Sequence, residues 1–113
     1  MAAQTDLQIY RALRKLFRTI DENVDDLALH CKTFEQARQL VEEWTQAQKN
    51  YIDARNRIFD SNDKKVKALY EELGTAQDAV EKSLRNLKKI ERVLDQIGDA
   101  VRTGTTLLAL GVI

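Results

Sequence analysis

An all-α fold is predicted: an elongated, antiparallel three-helix bundle, coiled-coil-like, with a long third helix and an apolar C-terminal extension. Three observations carry this expectation. A mostly apolar series, Val66, Leu69, Leu73, Ala76, Val80, Ser83, Leu87, Ile90, Leu94, Ile97, Val101, Gly104 and Leu108, alternates steps of three and four residues without a fault. That rhythm holds one seam on one side of a helix. Two shorter series of the same kind precede it, and the 113-residue chain has no proline. The composition agrees, at 43% hydrophobic, 32% charged and only 6% aromatic, leaving little to build strands from. A chain of this length supports one core, so residues 1–113 are read as a single helical domain.

The first helix is expected over about 6–32. Thr5 offers a hydroxyl cap with Gln8 three residues on, and Tyr10, Leu13, Phe17, Ile20, Val24, Leu27 and Cys31 form the seam. After Cys31 the phase slips, because Phe34 and Ala37 follow at two successive steps of three. Thr33 with Gln36 supplies a second capping box at that slip, which favours a tight turn over a kinked continuous helix. The second helix, about 34–59, carries Ala37, Leu40, Trp44, Ala47, Tyr51, Ala54 and Ile58, with Val41, Ile52 and Phe59 widening the face. Trp44 and Tyr51 fall on this seam and are read as core.

Asp60-Ser61-Asn62-Asp63 is the clearest punctuation, since these side chains compete for backbone hydrogen bonds and cap the next helix. The third helix is then expected over about 62–103. It passes through Gly74-Thr75 because the heptad keeps its register there, leaving Gly74 on the outer face. At 1.5 Å per residue it would reach about 60 Å, against about 40 Å for each of the first two, and would overhang them.

Eighteen basic and eighteen acidic side chains cancel, which removes the general attraction to phosphate backbones expected of a nucleic-acid binder. The charges are blocked rather than mixed. Arg11, Arg14, Lys15 and Arg18 form a basic stripe; Asp21, Glu22, Asp25 and Asp26 follow it. Cross-helix pairing of such blocks with Lys82, Arg85, Lys88, Lys89 and Arg92 is the expected role, and it would also fix helix direction. The N-terminus lacks the pattern of a signal peptide, no stretch reaches the roughly 20 apolar residues that span a bilayer, and the single cysteine, Cys31, sits on a seam as a reduced, buried thiol. A cytoplasmic location is expected.

Candidate chemistry is sparse. His30, four residues after Asp26 and beside Cys31, is one histidine and one thiol where a closed zinc site needs four ligands. No phosphate-cradling glycine loop and no nucleophile with its base is present. Glu42, Glu43, Glu71 and Glu72 would need burial before they could act as acids or bases, and are read as solvated. No enzyme activity, cofactor or metal is expected.

The segment 104–113 holds Leu107, Leu108, Leu110, Val112 and Ile113 without a charge, each able to contribute about 1.5–3 kcal/mol on burial, so it is expected to fold back onto the end of its own bundle, to pack against another copy, or to dock onto a partner or membrane surface. The expected function is therefore a non-enzymatic interaction module. It would self-associate or dock onto a protein partner through Leu94, Ile97, Val101, Leu107, Leu108 and Leu110. The alternative is a membrane-active bundle, in which the tail and the stripe Arg11 to Arg18 meet a bilayer surface. A small-ligand or metal-binding bundle is the weaker rival. Heptad-patterned helices are shared by too many unrelated proteins to carry a function by themselves.

Overall fold

Thr33 separates the first two helices much as its spacing predicts. In the computed structural model, which describes residues 2–113 and side chains from Thr5 onward, the Thr33 hydroxyl accepts from the Gln36 amide N–H at 3.1 Å. The Gln36 side chain reaches back to accept from Lys32 N–H at 2.7 Å. One N–H orphaned by the start of α2, that of Gln36, and one in the turn before its cap, that of Lys32, are thereby satisfied. On either side lie α1, Ala2–His30, and α2, Phe34–Ala54. Thr5 stands inside α1 rather than at its start.

The third expected helix is two. α3 spans Lys64–Ser83 and α4 spans Ile90–Ala109, so the described residues form a bundle of four helices, not three. Between them residues 84–89 turn the chain back, with Ser83 Oγ donating to the Val80 carbonyl at 2.9 Å as α3 ends. Two physical reasons account for the turn. A continuous helix would stack Lys82, Arg85, Lys89 and Arg92 at steps of three and four, like charge upon like charge. It would also leave the seam from Leu94 onward with nothing to bury against. Folding back gives that seam α2 and α3. The unbroken heptad was silent about this because the two arms of an antiparallel hairpin present the same positions to each other.

Gly74 lies within a continuous α3, exposed, as its register predicts. α3 is capped by Asp63, whose carboxylate accepts from Lys65 N–H at 2.7 Å, so the Asp60–Asp63 cluster acts as the predicted punctuation. α2, however, ends at Ala54 rather than near residue 59. Beyond it the chain extends, and Ile58 pairs with Val112 through two backbone hydrogen bonds of 2.7 and 2.9 Å. Ile58, expected on the seam, is 54% exposed, while Phe59 is fully buried. Seating the Phe59 ring in the core pulls this segment out of helical register, and Asp6 accepts from Phe59 N–H at 2.8 Å to hold it.

The two hairpins, α1–α2 and α3–α4, pack so that α2 lies along α4 while α1 touches both α3 and α4 over shorter stretches; α2 and α3 stand diagonally apart. The extents are 44 × 21 × 19 Å with a radius of gyration of 14.2 Å. The long axis is that of α1 alone, whose 29 residues rise about 1.5 Å each, so the expected overhang is absent. One core of Ile9, Leu13, Leu16, Ile20, Leu27, Leu40, Leu73, Ile97 and Leu107, among others, draws on all four helices.

Candidate functional site

All six residues expected to meet a partner lie within this bundle. Leu94, Ile97, Val101 and Leu107 are buried core residues, Leu108 is 6% exposed, and Leu110 is half-buried against the core. α4 is the most deeply embedded helix because the return turn puts its seam between α2 and α3, and three of its buried positions, Gly98, Ala100 and Gly104, are small. A Cβ on Gly104 would come within 2.8 Å of Leu13 Cδ2, so the absent side chain lets α4 approach α1 closely. The seam from Leu94 to Val101 is covered within the chain rather than left free, and Leu107 and Leu108 of the tail fold back onto the chain's own bundle, one of the outcomes the sequence left open. Of the tail, Val112 and Ile113 remain exposed.

Exposed apolar surface sits elsewhere. Leu29, at 82%, and Phe34, at 80%, flank the α1–α2 turn, and Val41 lies two turns further along the outer side of α2. At the opposite end Ile58, Val112 and Ile113 are exposed around the short bridge. The heptad gave no sign of Leu29, which belongs to no seam. Phe34 stood in the sequence as part of the phase slip.

Among the described residues the ion pairs are Lys15 with Glu81 at 3.8 Å, Arg38 with Glu42 at 3.2 Å and Arg102 with Asp99 at 2.9 Å. The predicted pairing of Asp21, Glu22, Asp25 and Asp26 with Lys82, Arg85, Lys88, Lys89 and Arg92 is therefore not made. Asp21 instead accepts from Trp44 Nε1 at 3.1 Å, which ties the half-buried indole of α2 to α1. Within the basic stripe, Arg11 and Lys15 line a groove between α1 and α3, facing Glu71 and Asp78. Tyr51 stacks on Phe17 at 5.2 Å and meets Tyr10 at 6.0 Å, so the seam aromatics are structural.

Cys31 is half-buried, its thiol donating to the Leu27 carbonyl at 3.3 Å, and burial pushes its pKa up. A raised thiol pKa means less thiolate and lower reactivity. His30 Nδ1 donates to the Asp26 carbonyl at 2.8 Å. No cluster of three or more metal-ligating side chains forms among the described residues, and none of their helices is long and apolar enough to cross a membrane. Glu43 departs from the solvated reading. Half-buried at the α2–α4 contact, it has its carboxyl pKa raised by desolvation, with Arg102 opposing that shift. Two polar side chains next to the seams are buried, which the heptad alone did not indicate. Asn50 donates to Thr105 Oγ1 at 3.0 Å, and Gln77 donates to Thr19 Oγ1 at 2.9 Å while its own carbonyl oxygen has no partner.

No family model, no curated protein and no solved structure matches the chain.

Proposed function

We propose that the chain is a non-enzymatic helical interaction module, acting by self-association or by docking a protein partner, with the α1–α2 end as its contact. The observation that carries this reading is the pair Leu29 and Phe34, each about four-fifths exposed on either side of one turn. Each side chain contributes about 1.5–3 kcal/mol if fully removed from water, and the bundle has no place for them. The turn between them is held rigid by the Thr33 and Gln36 capping bonds, so the apolar pair is presented at little ordering cost.

Sedimentation equilibrium over a wide concentration range tests the self-association arm. A concentration-dependent dimer is expected, abolished in a Leu29→Ser/Phe34→Ser variant whose helicity and melting temperature are unchanged. A wild-type chain that stays monomeric throughout, with the double variant no more soluble, would count against this contact. A bilayer surface is the second reading, favoured by Lys32 lying between the two apolar side chains, an order that suits insertion beneath anionic headgroups. Co-pelleting with anionic vesicles that is lost in the same variant, while the protein alone remains monomeric, would select it.

A further inference from the structure

The basic run 82–92 carries Lys82, Arg85, Lys88, Lys89 and Arg92 against a single acid, Glu91, and none of its five cations is ion-paired among the described residues. Three of them converge. Lys82 from the last turn of α3, Lys89 from the return turn and Arg92 from the first turn of α4 line one cavity of about 390 Å³, within the size range of small-ligand sites. No carboxylate lines it; Glu91 and Asp95 face an adjoining cavity whose rim Lys89 and Arg92 share. Asn86 and Gln96 add side-chain amides, and Ala79 and Val93 contribute apolar surface. The cap position of α4 is Lys89, which makes no side-chain cap bond, so the positive end of the helix dipole is left beside the same cations.

We propose that this cavity between the end of α3 and the start of α4 binds a phosphoryl group, carried by a small soluble compound or by a lipid headgroup. Three cations lining one cavity with no carboxylate among its lining residues repel one another, and a multiply charged oxyanion relieves that repulsion. Arg92 supplies a planar fork suited to two phosphoryl oxygens, and the two lysines supply point charges. The Asn86 and Gln96 amides suit the hydroxyl or ester oxygens next to the phosphorus. The site is separate from the apolar pair of the α1–α2 end and does not depend on it.

The test is a backbone-amide NMR titration of the whole chain with pyrophosphate at constant ionic strength, repeated with vesicles of phosphatidylcholine containing phosphatidic acid. Saturable shifts confined to residues around 82–96 are expected. They should weaken by about tenfold or more in a Lys89→Ser/Arg92→Ser variant, and persist in a Lys64→Ser/Lys65→Ser variant that removes charge of the same sign from the start of α3. Retained helicity in each variant is read by circular dichroism. Saturation by pyrophosphate alone assigns a soluble phosphate compound; saturation by the vesicles alone, lost in the Lys89→Ser/Arg92→Ser variant, assigns a lipid headgroup. Shifts that never saturate, that spread over all basic surfaces, or that survive the Lys89→Ser/Arg92→Ser change overturn the proposal.

Discussion

One added methyl group has opposite consequences at Gly74 and Gly111. A Cβ on Gly74 meets nothing within 4 Å, and the residue lies mid-helix, where glycine forfeits backbone entropy. Gly74→Ala is expected to raise stability by about 0.5–1 kcal/mol. At Gly111 the same atom would fall 2.8 Å from two ring carbons of Phe59, and that ring is fully buried and cannot give way. Gly111→Ala is expected to lower stability by about 1–3 kcal/mol. Urea denaturation of both variants checks the pair. Glu43 offers a second residue-scale test. Its folded-state pKa is raised, chiefly by desolvation, so the native chain holds that proton more tightly than the unfolded chain. The associated stability is present below the unfolded carboxyl pKa and is lost as pH rises through the folded one. Glu43→Gln should therefore raise the melting temperature at neutral pH, with the gain shrinking as the pH falls through the carboxylate range.

Elements were legible wherever a local signal interrupts the seam, and illegible where the interruption is tertiary. Thr33 with Gln36, and Asp63 after the polar cluster, were readable because a cap is a matter of spacing over three or four residues. The α2 terminus was not, since Phe59 keeps an apolar identity whether it sits on a helix face or is inserted from an extended segment. Only the Asp6 carboxylate and the Val112 backbone, both more than fifty residues away in sequence, reveal which holds. The α3–α4 turn escaped for a related reason: no glycine or proline marks residues 84–89, and Leu84 and Leu87 still pack against the core while the chain reverses. The stacked cations were the available clue, read in the sequence as partners for acids rather than as a helix breaker. The candidate contact was lost with the turn, because residues judged surplus on a straight helix become core on a folded one. If Phe59 is the residue that ends α2, Phe59→Ala should cost about 3–5 kcal/mol. It should also free the Ile58–Val112 amides to exchange with solvent faster than those of α1, measured by hydrogen exchange.

At the level of the whole molecule, the C-terminal segment closes the bundle. A chain ending at Arg102 would lack Leu107 and Leu108, together worth about 3–6 kcal/mol at roughly 1.5–3 kcal/mol each. That is a large share of the 5–15 kcal/mol typical of a domain. It would also lose the backbone bridge from Val112 to Ile58 and the Arg57 hydrogen bond to the Gly111 carbonyl at 3.1 Å. Truncation is expected to broaden or abolish the cooperative thermal transition seen by circular dichroism. An unaltered melt would mean that these residues add nothing to the core.

The two sides on which the hairpins meet are unequal. α2 and α4 run close together along small residues, while α1 and α3 touch over a short stretch, crossed by the Gln77–Thr19 hydrogen bond and the Lys15–Glu81 ion pair. The molecule is hinged like a book, with its spine along α2 and α4. If the hairpins part locally, the fore-edge between α1 and α3 is expected to open before the spine, read as faster amide exchange in α3 than in α4.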